Sequence, residues 1–249
     1  MSSTFKIISV GYRCMSASFL QLLGIKTESY PFDWMVSRLS VVQDCIETEF
    51  IHFLQPSNYI TRQTETSNTT DDSKSYFFHE TTHINTFYNH NIHHDHDDTE
   101  IQTYHLCLAL NHYDVRSPTD YEYYQRCIHR LDNFFRIENI SKYYLYFHPI
   151  MGIHDFHRTQ EDLLKEIETF HTFMLTRTNV FGICFILIKH DHHPTSIIWK
   201  ETPTSILFLL YCNEQFADAG APFMGDHETE KNEVLSRLQQ ILPLSHLTS

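Results

Sequence analysis

The sequence predicts an α/β fold: a mainly parallel, layered sheet with helices on both faces. Two observations carry this. Short β-branched apolar runs alternate along the chain with helical patterns, as in sheets whose strands are joined by crossover helices. The runs are also continuous rather than alternating, which is how strands covered on both faces read. One domain is expected over the 249 residues, with a mobile His/Asp-rich insertion at about 56–117.

Phe5 to Val10 reads as the first buried strand, closed by Gly11. Met15 to Leu23 is helical, and Gly24 is a suitable residue just past its end. Ser37 is the expected N-cap of a second helix. Its Leu39, Val42, Ile46, Phe50 and Phe53 recur at three- and four-residue spacing before Pro56 stops it. Thr61 to Ser75 is a polar stretch with the composition of a loop. Tyr76 to Phe78 has the makings of a short strand, whereas Leu106 to Leu110 is too short to assign.

Ser117-Pro118 opens a helix carrying Tyr124, Ile128, Leu131 and Phe135. Tyr143 to Phe147 is a strand. Thr159 with Asp162 resembles a capping box ahead of Leu163, Leu164, Ile167, Phe170 and Met174. Phe181 to Ile188 is the strongest strand and is expected at the sheet centre. Ile206 to Tyr211 follows as another. A last helix runs from about Glu228 to Leu242, where Pro243 ends it.

The formal charge of -13 argues against a nucleic-acid partner, although 19 histidines would discharge much of it in mild acid. No membrane partner is expected either. The longest apolar stretch, Val180 to Ile188, is far short of the ~20 residues a span needs. The N-terminal residues carry no signal-peptide core. The six cysteines are scattered with no C-x-x-C pair, which fits a reducing compartment. A cytoplasmic protein is therefore expected. The chain has no P-loop, no G-x-G-x-x-G and few glycines, so no cofactor is expected. His90 to Asp98 invites a metal reading, but no helical H-E-x-x-H spacing supports it, and no metal is expected.

In parallel sheets, sites gather beyond the C-terminal strand ends. Cys14 follows the first strand and opens the first helix. Backbone amides and the positive end of the helix dipole favour a thiolate there, and Arg13 adds a positive charge. His148, His190-Asp191 and Asn213-Glu214 follow later strands and share that edge if the strands are parallel. Cys45, Cys127, Cys184 and Cys212 fall in apolar patterns and read as core.

Cys14 is followed by Phe19-Leu20-Gln21-Leu22-Leu23-Gly24-Ile25 and then by Ser29-Tyr30-Pro31-Phe32-Asp33-Trp34. This block resembles the predicted papain-like cysteine peptidases of bacteria and large DNA viruses. So do the Tyr121–Arg130 helix and the Tyr143–Phe147 strand, across about residues 5 to 150. The resemblance implies a cysteine nucleophile and a histidine base acting on a peptide or isopeptide bond of a peptide or protein substrate. It also makes an α+β papain-like arrangement the alternative fold.

Carried onto this chain, Cys14 is the nucleophile. His94, followed by Asp95, is the base, with His93 close behind. Asp33 is the third member. Pro31, Phe32 and Trp34 otherwise read as an aromatic plug beneath the first helix. A strand-then-cysteine order also suits thiol acyltransferases of glycan modification. A non-enzymatic interaction protein is the remaining reading. The oligomeric state is left open.

Overall fold

The computed structural model describes residues 5–11, 14–63, 81–89, 107–150, 160–189, 196–212 and 228–243. Its main sheet has five strands in the order β1 (Phe5–Ser9), β6 (Ser141–Ile150), β7 (Phe181–Lys189), β9 (Ser205–Cys212) and β8 (Ser196–Glu201). The first four run parallel, and β8 returns antiparallel through a hairpin with β9. The fold is α/β with a mostly parallel sheet, as the continuous apolar runs predict. The strongest run, β7, is the middle strand.

Alternation along the strands divides the core in two. Tyr143, Leu145 and Phe147 share one face with Ile183, Phe185 and Phe208, packed against α1 (Met15–Leu22) and α5 (Glu228–Ile241) through Phe19, Leu20, Val234 and Leu238. Stacked rings cross this face. Phe147 and Phe185 lie 4.3 Å apart, and Phe185 and Phe208 lie 4.7 Å apart. Tyr144, Tyr146, Cys184 and Ile186 face the other way. They meet α2 (Leu39–Glu47), α3 (Pro118–Arg136) and α4 (Gln160–Arg177).

A second, antiparallel sheet lies in that other core. Its order is β2 (Met35–Ser37), β5 (Leu108–Leu110), β4 (Thr81–Asn85) and β3 (Tyr59–Gln63). Three of its strands fall inside residues 56–117. The polar stretch expected as loop from Thr61 therefore begins as strand, and the unassigned Leu106–Leu110 run supplies β5. Tyr76–Phe78 lies outside the described residues.

Several boundaries move. Ser37 ends β2 instead of capping a helix, and Arg38 is the N-cap of α2. That helix stops at Glu47, well before Phe53. Glu49 and Phe50 adopt positive φ of 52° and 61°, and the Phe50 amide reaches back to the Cys45 carbonyl at 2.7 Å. Phe50 and Phe53 are buried all the same, so the apolar spacing reported burial rather than helix. Gly24, with φ 66°, terminates α1 as its sequence position predicts. Among the described residues no helix is long and apolar enough to cross a membrane.

Candidate active site

The polar groups expected at one sheet edge can be followed strand by strand. β1 and β6 pair in parallel with Ser9 opposite Leu145, and the Val10 amide donates to the Leu145 carbonyl at 2.9 Å. The chain then leaves the edge through Gly11, whose carbonyl accepts a 2.6 Å hydrogen bond from Ser37 Oγ. Cys14 is the N-cap of α1, and its carbonyl accepts the first intrahelical bond, from the Ser18 amide at 2.8 Å. Its thiol does not cap the helix and is partly exposed. No acidic residue lies in the first turn to offset the positive helix end.

Ser16 ties this turn to the neighbouring strand. Its buried hydroxyl accepts a 3.1 Å hydrogen bond from the Phe147 amide. The next residue on β6 is His148, only 3% exposed, with Nδ1 2.9 Å from the Tyr146 hydroxyl. His148 lies inside β6, opposite Ile186 of β7, rather than beyond the strand end as the sequence reading placed it. It shares the face of Tyr144 and Tyr146, and the Ser16–Phe147 bond ties the Cys14 turn to the strand residue before it. β7 and β9 run parallel to β6, so Lys189 and Cys212 end those strands at that edge too.

Asp33 lies just beneath. It is 1% exposed, and its carboxylate accepts from Ser9 Oγ, Lys26 Nζ and the Tyr30 amide, the last at 2.9 Å. Burial pushes its carboxyl above the ordinary value, while Lys26, Ser9 and the Tyr30 amide pull it down. Two oxygens taken by three donors make a brace. It joins the end of β1 to the Pro-Phe-Asp-Trp turn and leads into Gly11 and Cys14. The aromatic plug lies on the opposite face of the main sheet from α1, a correction to the sequence reading. Phe32 stacks on Phe50 at 5.6 Å, Tyr30 packs on Phe134 at 6.4 Å, and Trp34 sets its edge against His112 at 6.1 Å.

The second sheet also reaches this edge. The Arg38 amide donates to the Cys107 carbonyl at 3.1 Å, next to the Ser37–Gly11 bond. Buried Asn89 accepts from the Cys107 amide at 2.7 Å and donates to the Leu108 carbonyl at 2.7 Å. Residues 89 and 107, which flank the His/Asp-rich stretch, are therefore pinned together near the Cys14 turn. Nothing in the sequence singled out Asn89, because one asparagine in a polar stretch carries no periodic signal.

Three of the other described thiols are quiet. Burial pushes Cys45 and Cys184 up to about 12, and burial also raises Cys127. His93, His94, Asp95, His190, Asp191, Asn213 and Glu214, together with the side chain of Cys212, lie outside the described residues. Among the described residues no group of three or more His, Cys, Asp or Glu is placed to hold a metal.

Cys14 thus stands at the strand-to-helix turn on the parallel edge of an α/β sheet. Residues 5–193 match the model of a family described as "Putative papain-like cysteine peptidase", and the chain belongs to that family. No curated protein and no solved structure matches it.

Proposed function

We propose that the protein is a cysteine hydrolase that cleaves a peptide or isopeptide bond, with Cys14 as nucleophile. The observation that carries this reading is the position of Cys14 as N-cap of α1 at the parallel edge, in a turn that Ser16 ties to the β6 residue next to His148. The thiolate attacks the substrate carbonyl, and a histidine holds the thiol proton and returns it to the leaving amine. Water then releases the acyl group, with the histidine as base. Amides of Met15, Ser16 and Ala17 at the helix start stabilise the oxyanion.

We take His148 as the base and Tyr146 as the group that orients its ring, on the strength of the Ser16–Phe147 tie and the 2.9 Å contact. His94 with Asp95 is the alternative pair, supported by the pinning of residues 89 and 107 beside the same turn. Asp33 acts as a brace rather than as a third catalytic member, because its oxygens are engaged by Ser9, Lys26 and Tyr30. The layered parallel sheet supports thiol-dependent acyl transfer to a glycan as the second reading, with a sugar hydroxyl replacing water.

The test is the pH dependence of Cys14 alkylation by iodoacetamide, with Cys14→Ala as blank. Burial quiets Cys45, Cys127 and Cys184, and the blank subtracts labelling of the partly exposed Cys107. The expected midpoint lies below the ordinary thiol value of about 8.5. It should return toward that value in His148→Gln and stay put in His94→Gln. The opposite pattern makes His94 the base. A Cys14 that labels no faster than a free thiol peptide overturns the hydrolase reading.

A further inference from the structure

β8 is the last strand of the main sheet, and among the described residues it pairs only with β9. An unpaired edge is a template for another strand unless it is blunted. This edge instead exposes two large apolar side chains, Ile198 at 55% and Trp199 at 41%.

The hairpin fixes which backbone groups point outward. The Thr202 amide donates to the Ser205 carbonyl at 2.8 Å, so these two form a hydrogen-bonded pair. Antiparallel pairs alternate from there. Lys200–Leu207 and Ile198–Leu209 are hydrogen-bonded to β9, whereas Ile197, Trp199 and Glu201 turn their amides and carbonyls away from it.

We propose that β8 pairs with β8 of a second copy of this chain, antiparallel, about a two-fold axis normal to the sheet at Ile198. Such an axis keeps each residue on its own face, so opposed residues must share parity. Centred on Ile198, the register sets Ile197 against the partner's Trp199 on both sides of the axis. It sets Ile198 against the partner's Ile198, and Ser196 against the partner's Lys200. Ile197 and Trp199 carry the outward amides and carbonyls, so their opposition is the hydrogen-bonded one. Aromatic against β-branched is also a favourable cross-strand pair. A register centred on Trp199 would set Ile197 against a glutamate and Ile198 against a lysine. One centred on Lys200 would oppose two lysines. Only the register centred on Ile198 sets all three apolar residues, Ile197, Ile198 and Trp199, against apolar partners.

Glu201 is held by Arg237 of α5 in its own chain, so it does not compete for the contact. β8 lies at the opposite end of the sheet from β1, and this inference is independent of the proposed chemistry at Cys14. A strand pair is a small contact, so dissociation at roughly micromolar concentration is expected.

Sedimentation equilibrium of the wild-type chain tests the dimer, and Ile198→Cys tests the register. The two central residues form a closely spaced, non-hydrogen-bonded pair, with Cα atoms about 4.5 Å apart, within disulfide reach. Mild oxidation should link Ile198→Cys into a dimer faster than wild type, Trp199→Cys or Lys200→Cys. Ile198→Lys should raise the dissociation constant at least tenfold, with an unchanged circular-dichroism melt to show that it folds. A wild-type chain that stays monomeric throughout the micromolar range overturns the proposal. So does faster linking of Trp199→Cys or Lys200→Cys.

Discussion

Asp33 and Lys26 are a charge pair inside the protein, with side chains 1% and 6% exposed. Such a pair gains little over apolar residues of the same shape, but breaking it strands a charge. Asp33→Ala leaves the Lys26 ammonium buried without its carboxylate and Ser9 without its acceptor. The expected loss is about 3–5 kcal/mol of unfolding free energy, read by urea denaturation. Lys26→Met in the same chain should recover a large part of it, and a double variant no more stable than Asp33→Ala refutes the brace. The sequence marked Asp33 through its motif but not its side-chain partners. Its partners lie at Ser9 and Lys26, on separate segments, and no local pattern links them. The position of Cys14 between β1 and α1 was legible because a strand, a glycine and a helix start are all local features.

At the scale of elements, the parallel strands were readable and the second sheet was not. β7 is a long apolar run, and burial on both faces demands that composition. β3 and β4 carry Thr, His, Arg and Gln, so they lack the continuous apolar run that marks the strands of the main sheet. Close packing between elements was equally hidden. Gly182 opens β7 against Tyr144 of β6, and a methyl group there would lie 2.5 Å from the tyrosine oxygen and 2.7 Å from Cζ. Tyr144 cannot easily yield, because its hydroxyl meets His171 Nδ1 at 3.0 Å and its ring packs on Phe170 at 5.5 Å. Gly182→Ala should therefore cost about 1–3 kcal/mol through overpacking. Adding Tyr144→Phe should return only part of this, since the ring carbon stays too close. A Gly182→Ala melt equal to wild type would show that the strands can move apart.

For the whole molecule, acid has two opposed effects, and His171 separates them. The net charge of -13 is self-repulsive, so protonating exposed histidines below neutrality relieves it and favours the folded state. His171 works the other way. It sits between the Tyr144 hydroxyl and Thr204 Oγ1, each 3.0 Å from a ring nitrogen, and burial lowers its pKa from the ordinary 6.5. His83 is lowered for the same first reason, with Arg116 adding to the shift and Asp114 opposing it. Below about 6.5 the unfolded chain takes up a proton that the folded chain resists. The unfolded state then binds more protons, and stability falls as pH drops through that window. The sign for the wild-type protein depends on which effect is larger. The difference between wild type and His171→Gln has one sign only, because both chains share the remaining charges. Urea midpoints measured from pH 7.5 to 5.5 should show His171→Gln gaining on wild type as pH falls. Parallel midpoints would mean that His171 charges as freely in the folded protein as in the unfolded chain, and the Tyr144–His171–Thr204 chain would then be no barrier to protonation.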